Sequence, residues 1–200
     1  HPFDPNMTEN GRFTLLDGNE ISVPMMSQTL PFKYMAGKSY EAIALPYRNS
    51  SMEMMLVLPQ AGTFDAVEGS FSPTLLADVD KNLRQQRVRL ILPKYTFESE
   101  FNLTQTLSGM GMPLAFSSQA DFSGMTGNRE LSISEVVHKA FVAVDEEGTE
   151  AAAATAVIVS LTSAVEEPLV MRVDRPFLFL IRDTESGAVL FVGRVLDPRS

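Results

Sequence analysis

The chain has 200 residues, 44% of them hydrophobic, no cysteine and a formal net charge of -9. A chain of this size hides about 70% of its unfolded surface, so one core and a single domain over residues 1–200 are expected. The acidic balance and the absence of any Lys/Arg run exclude a nucleic-acid or heparin-like polyanion as an expected partner, and zero cysteine removes disulfides, thiolate metal sites and a Cys nucleophile while being compatible with a prokaryotic source.

Strand-like runs are expected first at Ile21 to Met26, Tyr40 to Leu45 and Met52 to Leu58. A short helix over Thr63 to Val67 follows. A second starts at Ser72-Pro73, where Ser caps the orphan amides and Pro fits the first turn, with Leu75, Leu76, Val79 and Leu83 as its buried stripe. In Arg87 to Leu92 the charges alternate with apolar residues, as on a strand with one wet face. Asn102, with Gln105 three residues on, opens another helix that carries Leu103 and Leu107 on one face and stops at Gly109. Strands are then expected at Leu131 to Val144, Phe177 to Arg182 and Val189 to Val195. Phe177 to Ile181 and Val189 to Val192 are apolar on both faces and are expected to be central and buried. These runs are far shorter than the ~20 residues that cross a bilayer, and no membrane partner is expected. The pattern is α+β, mostly antiparallel sheet with peripheral helices.

The segment Glu146-Glu147-Gly148-Thr149-Glu150-Ala151-Ala152-Ala153-Ala154-Thr155 is unlike an ordinary loop. At period two, Thr149, Ala151, Ala153, Thr155, Val157, Val159 and Leu161 form one uncharged face that grades from small to branched, suited to a sheet interior. Four alanines favour helix, while Gly148 and the β-branched run Val157-Ile158-Val159 oppose it. A segment so undecided, held between two strands, has the makings of a two-state switch.

These residues resemble the hinge of the serpin family of serine protease inhibitors. Other stretches carry the same resemblance along nearly the whole chain. They are Pro2-Phe3-Asp4-Pro5 with Thr8, Val23-Pro24-Met25-Met26, Leu45-Pro46-Tyr47, Leu58-Pro59 and Leu92-Pro93-Lys94-Tyr95, then Ala120-Asp121-Phe122-Ser123-Gly124-Met125, Val137-His138-Lys139-Ala140, Arg175-Pro176-Phe177, and Leu190-Phe191-Val192-Gly193-Arg194-Val195 before Pro198. Tyr95 stands where the family usually has Phe.

The resemblance implies a single serpin-like domain represented by its C-terminal part, with the N-terminal half of the fold and any targeting segment lying before His1, and a reactive loop over residues 146–168. It implies no catalytic activity of the chain's own and no cofactor. The implied function is suicide inhibition: a serine protease attacks the loop, forms an acyl-enzyme and is trapped as the cut loop inserts into the central sheet. Counting from Gly148 in the family's manner puts the scissile bond between Thr162 and Ser163, with Leu161 or Ser160 as alternatives for the residue before it. The surrounding side chains are small and apolar without Arg or Lys, which suits elastase-, subtilisin- or chymotrypsin-like targets rather than trypsin-like ones. His138 would belong to the polar cluster under the central sheet that regulates its opening. A secreted or extracellular location goes with this family, and the chain by itself is expected not to inhibit. The alternative is a non-inhibitory serpin acting as a carrier or binding protein.

From the residues alone, a hydrolase using His138 as base is the remaining rival. It lacks a nucleophile elbow or a phosphate-cradling glycine loop, no metal site is expected, and His138 falls within a strand run, where a core histidine bonded to neighbouring strands is the simpler expectation. The eleven methionines are assigned to core packing rather than to a plastic binding surface. Glu146, Glu147 and Glu150 fit a cation site or a solvated strand end equally.

Overall fold

The computed structural model describes residues 2–147 and 167–199. In chain order the elements are β1 (Glu9–Thr14), β2 (Glu20–Ala36), β3 (Tyr40–Pro46), β4 (Met52–Pro59), α1 (Phe64–Gly69), α2 (Pro73–Asn82), β5 (Arg84–Pro93), β6 (Tyr95–Asn102), α3 (Thr104–Gly109), α4 (Ser123–Thr126), β7 (Val137–Val144), β8 (Leu169–Arg172), β9 (Phe177–Asp183) and β10 (Val189–Val195), with 3-10 turns at Pro5–Met7 and Pro113–Phe116. They gather into two compact units, His1–Tyr95 with Ala143–Ser200, and Thr96–Val142.

The first unit is an eight-stranded sheet of order β10-β9-β4-β3-β2-β5-β8, with β1 paired to β2. Every pairing is antiparallel except β5 with β8. The pivot is β2, whose start pairs with β1, whose middle pairs with β5 from Met25↔Pro93 to Tyr34↔Arg84, and whose end pairs with β3. One face of the sheet presents Met35, Ala42, Ala44, Met55, Val57, Leu178 and Leu180 to Phe64 of α1 and to Val79 and Leu83 at α2. The Ser72 hydroxyl caps α2 by accepting from the Leu75 amide at 3.3 Å, as the Ser-Pro start predicts.

The second unit holds the two-stranded β6–β7 sheet and α3. The Asn102 side chain accepts from the Thr104 amide (3.0 Å) and donates to Glu135 (2.6 Å), so it both starts α3 and fixes the chain entering β7. Asp121 does the same for α4, accepting from the amide and the hydroxyl of Ser123.

Several expectations need correction. Val189 to Val192 are not central: β10 is the edge of the sheet, with Phe191 40% and Val192 62% exposed, while β9 beside it is buried from Phe177 to Ile181. Apolarity on both faces marks a strand that something must cover, and among the described residues Val189 to Val192 of β10 are left exposed. The expected strand from Leu131 starts only at Val137, because residues 131–136 run outside regular structure with Thr104 and Leu103 bonding Val136. β2 runs ten residues past Met26, across Ser27-Gln28-Thr29 and Pro31, whose polarity and missing amide interrupt the strand signal. β1, β6, β8 and α4 lay outside the expected elements. The methionines divide: Met25, Met26, Met35, Met54, Met55 and Met171 are core, whereas Met7, Met110, Met112 and Met125 are exposed.

Candidate functional site

The described residue next to the Ala-rich segment that is most firmly held is Glu146. It follows β7 at the point where Asp145 makes a last bridge and accepts from the Glu147 amide at 2.9 Å. Three contacts hold it. Its carbonyl accepts from the Phe3 amide (2.7 Å), its Oε1 accepts from the Thr8 hydroxyl (2.8 Å), and its Oε2 pairs with Lys94 Nζ (2.6 Å). The side chain is only 14% exposed, and Lys94 above all, then Thr8, hold its carboxyl below the ordinary carboxylate value against the opposing pull of burial.

Each partner is placed by its own local structure. Phe3 is buried, and Asp4 caps the Pro5–Met7 turn by accepting from the Asn6 amide at 2.9 Å, which delivers Thr8. Lys94 follows directly on β5, its amide donating to the Pro24 carbonyl at 3.0 Å. The next residue, Tyr95, is buried edge-on against Phe177 at 5.6 Å, its phenol donating to Met54 Sδ at 3.8 Å and pushed up in pKa by burial. The ammonium of Lys94 is thereby aimed by a rigid frame.

On the far side of the segment, β8 runs parallel to β5 from Val88↔Leu169 to Ile91↔Arg172, with Met171 fully buried. Beyond it the Val173 amide donates to Ile91 (2.8 Å), the Asp174 carbonyl accepts from Thr14 (2.8 Å), and Arg175 donates to the Pro59 carbonyl (2.7 Å). Both ends of residues 148–166 therefore rest on one strand, β5. From the register those ends stand on the order of 20–30 Å apart, whereas the intervening chain has a contour length of ~60 Å.

Of the residues singled out in the sequence, Glu146 and Glu147 are in place at the root of the segment. Gly148, Thr149, Glu150, Ala151 to Ala154, Thr155, Leu161, Thr162 and Ser163 lie outside the described residues. His138 lies on β7 and is exposed, not the core histidine that is the simpler expectation, and its side chain makes no hydrogen bond among the described residues. In the sequence Thr8 and Lys94 are no more than members of motifs. Nothing local marks them, since they reach Glu146 across 138 and 52 positions.

The family model described as serpin (serine protease inhibitor) matches residues 1–198. The chain belongs to the serpin family. It is 41% identical over 98% of its length to a serpin-like protein of Thermococcus kodakarensis, covering 46% of that protein. To neuroserpin of Gallus gallus it is 37% identical over 99% of its length and 50% of the relative's, and to alpha-1-antichymotrypsin of Pongo abelii 39% over 99% and 48%. Among solved structures, thyroxine-binding globulin in complex with thyroxine superposes with a TM-score of 0.85 at 30% identity, over all of this chain and 53% of the globulin. This serpin chain thus spans about half the length of the relatives it matches. The family assignment agrees with the α+β, chiefly antiparallel architecture. No helix among the described residues is long and apolar enough to cross a membrane.

Proposed function

We propose that the whole molecule to which this chain belongs is a serine protease inhibitor of the suicide-substrate kind, with residues 146–168 as its reactive loop. The observation that carries this reading is the uncharged, small-to-branched face from Thr149 to Leu161 in a serpin sequence, rooted on a Glu146 that is held at both carboxylate oxygens. A loop that enters a sheet must bring no charge inward, since burying one costs several kcal/mol and stalls insertion. In extended form the face is on the order of 40 Å long, enough for a full strand.

The mechanism follows from competition between two rates. The protease's serine forms an ester with the Thr162 carbonyl as the Thr162–Ser163 amide bond breaks and the Ser163 amine leaves, with Leu161 or Ser160 as alternatives for the residue before the cut. The released loop then adds to the central sheet and carries the enzyme with it, deforming the oxyanion hole and triad before water attacks. Elastase-, subtilisin- or chymotrypsin-like pockets suit the flanking residues. On this reading the strand that the loop joins belongs to the N-terminal half of the fold, and His138 would take its place in the polar cluster beneath the sheet. A secreted or extracellular location accompanies this role.

The test is incubation of the whole molecule with a subtilisin-like and a chymotrypsin-like protease. A denaturant-resistant covalent complex and, by mass spectrometry, a cut within residues 160–164 are expected, with a rise in thermal midpoint of the nicked inhibitor. Cleavage elsewhere, or a midpoint that nicking leaves unchanged, overturns it.

A carrier role is the second reading, favoured by the similarity to thyroxine-binding globulin and by an open hollow of about 850 Å³ lined by Tyr34, Tyr40, Asp78 and Asn82 among others. Saturable ligand binding without covalent capture of any protease would support it.

A further inference from the structure

Three arginines that the sequence scatters meet on one sheet face. On β5, Val88 and Leu90 point into the core and are fully buried, so the alternating Arg87 and Arg89 point outward and are exposed. On β8 the buried Met171 leaves Arg172 outward, and the register sets Arg172 against Ile91, two residues beyond Arg89. Strand geometry then spaces Arg87 from Arg89 by ~7 Å and Arg89 from Arg172 by ~8 Å. Arg89 and Arg172 line one small hollow with Ser27 and Glu9, and Arg89 Nε donates to the Ser27 hydroxyl at 3.4 Å.

The charge balance of this strip is inverted relative to the chain. Against a total of 16 Lys and Arg and 25 Asp and Glu, three guanidinium groups stand together with Glu9 as the acid lining their hollow. None of the three forms an ion pair among the described residues, although Arg12, Arg129, Arg175, Arg182, Arg194 and Arg199 all do. Uncompensated like charges at this spacing repel one another, and a surface with a surplus of carboxylates had partners to offer.

Position gives the strip its partner. Arg172 lies on the strand that leaves the 148–166 segment, about 8–12 residues past the bond proposed for cleavage, at most ~40 Å along the chain. A protease domain is about 45 Å across, comparable with that reach, so an enzyme attacking that bond is of a size to meet this face. We propose that Arg87, Arg89 and Arg172 form a docking patch for an acidic surface of the target protease, which speeds encounter with anionic proteases. The proposal rests on the inhibitory reading above. Three cations on an acidic protein are too few for a polyanion such as nucleic acid or a sulfated polysaccharide, but steering a folded partner needs only local complementarity.

The test uses the whole inhibitor and two subtilisin-type proteases with the same specificity pocket, one of net negative and one of net positive charge, each both active and inactivated at its catalytic serine. The variants are Arg87→Glu/Arg89→Glu/Arg172→Glu and the milder Arg89→Gln/Arg172→Gln, both checked for an unchanged thermal midpoint. Wild type is expected to associate with the anionic protease about tenfold faster at 0.05 M than at 0.5 M salt, since screening shortens as ionic strength rises. The triple variant is expected to lose that advantage and to gain with the cationic protease, with an unchanged ratio of inhibitor to enzyme trapped. Association that is insensitive to both variants overturns the patch, even if covalent complexes form. If no covalent complex forms, inhibition fails as a reading, but the patch is still judged on binding to the inactivated enzymes, and no charge-dependent binding there overturns it too. Salt-sensitive binding of a sulfated polysaccharide through these arginines, with protease association unaffected, likewise overturns the protease assignment.

Discussion

Lys94 Nζ lies 2.6 Å from Glu146 Oε2, which ties the residue that opens the Ala-rich segment to the end of the strand that also pairs with β8 on the segment's far side. Thr8 donates to the other carboxylate oxygen, but Lys94 is the cation that offsets the charge of Glu146. Glu146→Lys in the whole molecule sets two ammonium groups within hydrogen-bond reach. A loss of about 1–3 kcal/mol in urea unfolding is expected. The reversed pair Lys94→Glu/Glu146→Lys should recover at least half of it; recovery of nothing would show that the pairing is not what anchors the root.

The same contact has a pH signature. The carboxyl of Glu146 is held below its ordinary value of 4.5, first by the hydrogen bond from Lys94. A depressed carboxyl contributes stability that is complete above the unfolded value and is lost as pH falls through the lower folded one. The stability gap between wild type and Glu146→Gln should therefore be full at pH 7 and shrink once pH drops below 4.5. A gap that persists undiminished to pH 3 would rule out this assignment.

On the inhibitory reading proposed above, charge at the small uncharged positions Ala151 or Ala153 is predicted to divert the whole molecule from inhibitor to substrate. Ala151→Asp and Ala153→Asp each ask the sheet to bury a carboxylate, which slows insertion while leaving attack on the distant bond untouched. The number of inhibitor molecules consumed per enzyme trapped should rise severalfold with initial cleavage rates unchanged. Ala152→Asp, on the opposite face, serves as the control and should have the smaller effect.

Gly193 of β10 sits opposite Phe179 of β9, and a Cβ there would lie 2.7 Å from two atoms of the ring. The ring has no room to turn, being 1% exposed and packed on Tyr95 at 6.0 Å. Gly193→Ala should cost about 1–3 kcal/mol in urea unfolding. Phe179→Leu, destabilising in itself by leaving space, should lower that cost in the double variant; simple additivity would mean that the close approach is not the cause.

Local patterns carried the fold a long way. The Ser72-Pro73 start, the Asn102 side-chain turn and the alternation in Arg87 to Leu92 gave elements close to those observed, because local hydrogen bonds and periodicity are properties of a few neighbouring residues. They failed where stability comes from remote pairing. The polar middle of β2 is a strand because β5 lies alongside it, and the four-residue β8 exists only through its parallel register with β5. The candidate site divides in the same way. Glu146 could be marked by its place before Gly148, whereas its contacts with Thr8 and Lys94 and the meeting of Arg89 with Arg172 are products of topology, which no single window of sequence shows.

Arg182 on β9 joins three elements through one guanidinium, donating to Glu53 of β4 from Nε (2.9 Å) and Nη2 (2.6 Å) and to Asp80 of α2 from Nη1 (2.8 Å). Its own pKa is raised further by these bonds, with Asp80 the larger cause. Glu53 is the demanding member, a carboxylate only 5% exposed that takes two guanidinium hydrogen bonds from Arg182 and loses both when the arginine is removed. Arg182→Ala should therefore cost about 3–5 kcal/mol, most of it from the stranded charge of Glu53 rather than from lost attraction. Glu53→Leu/Arg182→Met removes both ends and should come within about 1 kcal/mol of wild type, as buried pairs replaced by apolar residues often do. Arg182→Lys should rescue little, because one ammonium cannot serve two carboxylates with a planar fork's geometry. If the double variant proves as unstable as Arg182→Ala, the penalty belongs to packing around β4, β9 and α2, and the stranded-charge account fails.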